Sequence, residues 1–193
     1  MVKTKVDFSF IKLFEGGCQV EGYVPDPLHS KSGVTIASGF DIGQCQVEAL
    51  SQRLPESLVN KLAPYCGLKQ QAAVDKLTAL PLAITRVEAN LIDICVVREV
   101  TDNLIKQYRQ DSGQGFETLL PAMQTVIASV AFQYGHLAKR CPKFWLAAIH
   151  GDFLAMATEL VNFGDRYPTR RRKEAEYLWR EGYRQAHQPA EAL

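Results

Sequence analysis

The sequence predicts a mixed α+β protein, with a small antiparallel sheet lobe packed beside a predominantly helical lobe. Residues 18–43 are punctuated by Gly22, Pro25, Pro27, Gly33, Gly39 and Gly43, which leave short runs of Val, Thr, Ile and Phe, the pattern of a small antiparallel sheet. From residue 46 onward apolar residues recur at helical spacing. No repeat or low-complexity linker interrupts the chain, and 193 residues suffice for one compact core. Residues 1–187 therefore read as a single domain with 18–43 as its sheet part, and 188–193 as a frayed tail.

A first helix is expected over 7–14, because Phe10, Ile11 and Phe14 fall at helical spacing and Asp7 can cap the first turn. Gly16-Gly17 stops it and leaves Glu15 at the exit. Further helices are expected over 46–52, 55–62, 69–77, 84–108, 116–134, 142–150, 153–162 and 170–181. Pro121, inside 116–134, marks an early turn or a kink. The 84–108 segment carries Val87, Leu91, Ile94, Val97, Thr101, Leu104 and Tyr108 on related faces and links the two lobes. Gly135, Gly151, Gly164 and Gly182 are each expected to close a helix.

The net charge of +1 provides no global field for nucleic acid or anionic lipid. Basic residues nevertheless crowd the last third, including Lys139, Arg140, Lys143 and Arg170-Arg171-Arg172-Lys173. They form either a basic face for an acidic polymer or a solvated helix face. No apolar run reaches the roughly 18 residues of a membrane span, and residues 1–7 lack the pattern of a secretory signal. Synthesis in the cytoplasm without membrane insertion is expected. The five cysteines, Cys18, Cys45, Cys66, Cys95 and Cys141, read as free buried thiols, with a Cys18–Cys45 disulfide as the alternative. Four scattered histidines, His29, His136, His150 and His187, define no metal site, and no cofactor is expected.

Cleaving a glycosidic bond takes one carboxylic acid to protonate the leaving oxygen and one carboxylate to activate water or support the sugar centre. Glu15 follows an apolar Phe14 and precedes two glycines, so burial would favour the protonated form of a general acid. If 34–37 is a strand, Thr35 and Ala37 share a side, and the same parity carries Asp41 toward Thr35. There Thr35 can hold a water and Asp41 can take its proton. Each residue also has a structural reading: Glu15 as a surface acid, Thr35 as a sheet former, Asp41 as the cap of a helix near Gln44 or Gln46.

Phe14-Glu15-Gly16-Gly17, Gly22-Tyr23-Val24-Pro25 and Ser32-Gly33-Val34-Thr35-Ile36-Ala37-Ser38-Gly39-Phe40-Asp41-Ile42-Gly43 resemble the active region of the pesticin-like muramidases, relatives of the phage-type lysozymes. Val130-Ala131-Phe132-Gln133-Tyr134-Gly135 and Thr169-Arg170-Arg171-Arg172-Lys173-Glu174-Ala175 resemble helical signatures of that family. The resemblance implies a lysozyme-like fold and hydrolysis of the bond between N-acetylmuramic acid and N-acetylglucosamine in peptidoglycan. It assigns Glu15 as the acid and Thr35 with Asp41 as the water-holding pair. Asp26 is the alternative second carboxylate, since phage-type lysozymes carry theirs in a loop before the threonine; a simple turn role also suits it. Tyr23, Gln133 and Tyr134 are candidate sugar contacts, and Arg170 to Lys173 either meet acidic stem peptides or begin a charged helix. The expected enzyme is an inverting, monomeric muramidase with no nucleic-acid partner. Its use is bacterial lysis or interbacterial killing, with delivery machinery or a cognate immunity protein as partners. A catalytically weakened wall-binding protein and a lytic transglycosylase are the alternatives.

Overall fold

The computed structural model describes residues 4–14 and 17–187. The chain adopts the expected α+β class and divides into two compact units, Glu15–Arg98 and Met1–Phe14 with Glu99–Leu193. The frayed tail expected over 188–193 lies outside the described residues.

The first unit holds strands β1 (Gln19–Tyr23), β2 (Thr35–Ala37) and β3 (Phe40–Asp41), antiparallel in the order β1-β2-β3. The chain reverses between β2 and β3 through Ala37-Ser38-Gly39, where Ala37 has φ +53° and Gly39 φ +94°. Gly39 meets this turn without steric penalty; Ala37 does not. The outer edge of β1 is covered by the segment before the long helix: Gly22 N donates to the Leu82 carbonyl (2.9 Å) and Ile84 N to that of Val20 (2.8 Å). Helices α2 (Val47–Ser51), α3 (Glu56–Leu62) and α4 (Gln70–Ala79) follow. Val34, Ile36, Ile42, Leu58, Leu62, Tyr65, Ala89 and Ile92 form the buried core of this unit.

Helix α5 (Arg86–Ser112) is about 40 Å long and leads from this unit into the other. It begins two residues later than the periodicity suggests because Thr85 and Glu88 form a capping box. Thr85 N donates to Glu88 Oε2 (2.7 Å), and Glu88 N to Thr85 Oγ1 (3.2 Å). Gly113, at φ +72°, ends it.

The second unit contains α1 (Phe8–Lys12), α6 (Pro121–Tyr134), α7 (Leu137–Arg140), α8 (Pro142–Ile149), α9 (Phe153–Val161) and α10 (Pro168–Ala186). Every residue of α6 from Ala122 to Ala131 is buried, so it is the central helix, with α10 and α1 packed on it. Its polar residues are matched. Gln124 accepts from Lys5 N (2.8 Å) and donates to the Leu119 carbonyl (2.9 Å), and Thr125 accepts from Asp7 N (2.9 Å). Pro121 occupies the first turn of α6, after a separate 3-10 turn at Phe116–Thr118, so the expected 116–134 helix is two elements. The short α7 was too brief to show in the periodicity. Gly135, Gly151 and Gly164 have positive φ at or just beyond helix ends, as expected. Gly182 does not end a helix: it lies inside α10, where a Cβ would stand 3.3 Å from the Phe153 ring, and its function is close packing against α9.

Candidate active site

The three strands align three of the candidate residues in one transverse row. Tyr23 is the register partner of Thr35, and Thr35 that of Asp41. Residues directly opposite across antiparallel strands present side chains to the same face. The parity extrapolated through Gly39 is therefore realised, and the six-residue step from Thr35 to Asp41 is the step across a tight hairpin. Exposure falls from Tyr23 (40%) to Thr35 (4%), with Asp41 partly exposed at the other end.

Backbone amides divide the work of the Asp41 carboxylate. Oδ1 accepts from Gly33 N (3.0 Å) and Gly43 N (2.9 Å), and Asp41 caps the 3-10 turn Ile42–Gln44. Among the described residues Oδ2 accepts only the longer Gln44 Nε2 contact at 3.3 Å. The Gly33 carbonyl accepts from Thr35 Oγ1 at 3.3 Å, so one glycine touches both members of the pair. Both glycines are sterically required: a Cβ on Gly33 or Gly43 would lie 2.3 Å from the Leu68 carbonyl oxygen.

Glu15 and Gly16 lie outside the described residues. The helix that precedes them is firmly held. Asp7 caps α1, accepting from Ser9 N (2.9 Å) and Phe10 N (3.2 Å). The Ser9 hydroxyl, and to a lesser degree the two backbone amides and Tyr177, hold the Asp7 carboxyl below its ordinary value against the opposing effect of burial. Phe14 packs edge-on to Phe10 with ring centroids 5.2 Å apart, and the Arg170 guanidinium sits 4.8 Å from its ring centre.

Asp26 has φ +41° and a largely exposed side chain. Its Oδ1 pairs with His29 Nδ1 at 2.9 Å and its carbonyl accepts from Ser30 N (2.9 Å), the bonding of a turn residue.

Gln133 and Tyr134 end α6 and join a buried ionic cluster in their own unit. Arg171, 2% exposed, donates to Gln133 Oε1, to Glu174 Oε2 and to Asp165 Oδ2 (3.0 Å). Tyr134 donates its hydroxyl to Asp165 Oδ2 at 2.6 Å. Burial, then the Asp165 carboxylate, pushes the Tyr134 hydroxyl up to about 12, so it remains a donor at ordinary pH. Burial pushes the Asp165 carboxyl up, but Tyr134, the Tyr167 amide and Arg171 outweigh it and the net shift is downward. For Glu174 burial prevails over Arg171, Ser129 and Arg170 and the shift is upward. The 170–173 run is thus neither a uniform basic face nor a uniform solvated one: Arg170 and Arg171 turn inward to acidic partners, while Arg172 and Lys173 are exposed.

Asp93 on α5 is a positioning residue that sequence reasoning missed. It accepts from Ser38 N (3.1 Å) and Ser38 Oγ (2.8 Å) and so pins the hairpin that sets Thr35 opposite Asp41. Fifty-five residues separate the partners, and no local pattern signals such a contact. No disulfide joins any of the five cysteines; Cys141 is buried, as expected, whereas Cys18, Cys45, Cys66 and Cys95 are only half-buried. Among the described residues no three His, Cys, Asp or Glu side chains converge as a metal site, and no helix is long and apolar enough to cross a membrane.

Among the described residues a three-stranded antiparallel sheet, with Thr35 opposite Asp41 on its hairpin, accompanies a mostly helical remainder, a mixed α+β fold. Residues 5–154 match the family described as "Pesticin: Bacterial toxin homologue of phage lysozyme, C-term", and the chain belongs to that family. The matched segment includes Glu15, Tyr23, Thr35, Asp41, Gln133 and Tyr134. No curated protein matches the chain.

Proposed function

We propose that the chain is a muramidase that hydrolyses the β-1,4 bond between N-acetylmuramic acid and N-acetylglucosamine in peptidoglycan, with inversion. The observation that carries this reading is the cross-strand pairing of Thr35 with Asp41 in a member of a phage-lysozyme-related family. Glu15, as general acid, protonates the glycosidic oxygen of the departing sugar. A water held between the Thr35 hydroxyl and Asp41 Oδ2 attacks the anomeric carbon from the opposite face and passes its proton to Asp41. Oδ2 suits that task because the backbone amides are already bound to Oδ1.

Tyr23, at the exposed end of the row, offers ring surface to a sugar. Gln133 and Tyr134 contribute through the Gln133 amide nitrogen and the Tyr134 ring, since Oε1 and the hydroxyl are already taken. Residues 1–187 are proposed to work as one catalytic domain, monomeric and without cofactor. Family membership favours use as an antibacterial toxin acting on periplasmic peptidoglycan after assisted delivery, restrained by a cognate immunity protein.

Glu15→Gln is expected to reduce release of reducing ends from purified sacculi by about 10²–10⁴-fold while the variant still binds wall fragments. Wild-type turnover by that variant would sink the acid assignment. Mass spectrometry of the products should show reducing N-acetylmuramic acid ends; anhydro-sugar ends would instead identify a lytic transglycosylase.

A further inference from the structure

Gln44 is exposed, yet each polar atom of its side chain has a protein partner. Nε2 donates to the Lys31 carbonyl (3.1 Å) and to Asp41 Oδ2 (3.3 Å), and Oε1 accepts from Lys69 Nζ (2.9 Å). An amide nitrogen carries two N–H groups, so both donors are spent. The three partners also fix which way the amide faces. Turned over, it would set Oε1 against a carbonyl and a carboxylate, and its N–H groups against an ammonium. Holding an exposed glutamine and an exposed lysine in one arrangement costs rotamer freedom, and a contact between exposed groups returns little stability. What the arrangement does fix is one oxygen of Asp41.

The segment that carries Lys69 is tied to the same loop. The Leu68 carbonyl oxygen stands 2.3 Å from where a Cβ on Gly33 or Gly43 would lie. Gln70 N donates to the Ser32 carbonyl at 2.9 Å, and does so at φ +52°, in the left-handed region that favours glycine. Residues 68–70, leading into α4, thus brace the Asp41 loop against its glycines, at Ser32 and through Gln44.

We propose that Gln44 is a positioning residue for the water-activating carboxylate, with Lys69 holding the Gln44 amide in the orientation that serves Oδ2. The inference rests on the muramidase reading for the role of Asp41. Bonds to Oδ1 alone leave small coupled swings of χ1 and χ2 that displace Oδ2; a donor on Oδ2 limits them. A carboxylate oxygen has two acceptor sites, so the Gln44 bond leaves one for the attacking water. Displacement of a catalytic group slows the chemical step more than it weakens substrate binding.

The test measures kcat and KM of the full chain for reducing-end release from soluble peptidoglycan strands. Gln44→Leu is expected to lower kcat about tenfold or more and to leave KM within about twofold. Gln44→Glu keeps a partner for Lys69 but turns an acceptor toward Asp41, and is expected to be at least as impaired. Lys69→Met is expected to lower kcat by a smaller factor. Both positions are exposed, so the urea midpoints of all three variants should stay near wild type. Wild-type kcat in Gln44→Leu overturns the proposal, as does a rise in KM at unchanged kcat, or a loss of activity matched by loss of folded protein. The Gln44 side-chain amide signals, followed in proton–nitrogen correlation spectra, are expected to shift in Lys69→Met and in Asp41→Asn; signals that neither variant moves overturn it independently of catalysis. If the wild type releases no reducing ends, the muramidase reading fails, and these amide signals alone decide whether Gln44 is held between Lys69 and Asp41.

Discussion

Asp41 Oδ1 gathers the amides of Gly33 and Gly43 while Oδ2, among the described residues, accepts only from the Gln44 side chain, and in the proposed mechanism this asymmetry separates structure from chemistry at one residue. Asn at position 41 keeps an acceptor for both amides, so Asp41→Asn should unfold in urea within about 1 kcal/mol of wild type, yet lose about 10²–10⁴-fold in sacculus hydrolysis. Asp26→Asn removes only an exposed turn pair and should leave hydrolysis near wild type. The reverse pattern in the same assay would transfer the second-carboxylate role to Asp26. Asp7 makes a prediction about pH. A carboxyl depressed in the folded state contributes stability that is present above its unfolded value, about 3.9, and is lost as pH falls through the lower folded value. Asp7→Ala should therefore cost about 1 kcal/mol at pH 7, and the gap should narrow in urea titrations below about pH 4.

At the scale of elements, the β2–β3 hairpin depends on two close approaches. Gly33 and Gly43 meet each other and the Leu68 carbonyl at distances that no Cβ permits, and Asp93 holds the turn through Ser38. Gly33→Ala should lower stability by about 3 kcal/mol, because the obstacle is backbone that cannot rotate away. A thermal shift no larger than that of an exposed control such as Gly17→Ala would refute this account. The helices were largely legible in the sequence because their signals are local: apolar spacing, Asp7 as a cap, and Gly135, Gly151 and Gly164 as stops. Gly182 misled because the same residue type also permits close helix approach, and only Phe153 across α9 reveals which use applies. The 170–173 run misled for a related reason: four consecutive charges appear equivalent until helix geometry turns Arg171 toward Glu174 and Asp165 and leaves Arg172 outside.

For the molecule as a whole, no disulfide joins any of the five cysteines, and the fold stands without a covalent cross-link. Thiol titration in denaturant should count five, and the melting temperature should not change on adding a reductant; a fall in melting temperature would reveal a stabilising disulfide. The sequence by itself determined the α+β class, most helix positions and the six-residue step from Thr35 to Asp41, since propensity, periodicity and turn chemistry act between near neighbours along the chain. Only the tertiary structure decided that Tyr23, Thr35 and Asp41 share one row, that Gly33 bonds both members of the pair, and that Gln133 and Tyr134 bond Arg171 and Asp165. Those outcomes depend on strand register and on partners remote in sequence. A polar side chain carries no local mark of which distant group will satisfy it once water is excluded.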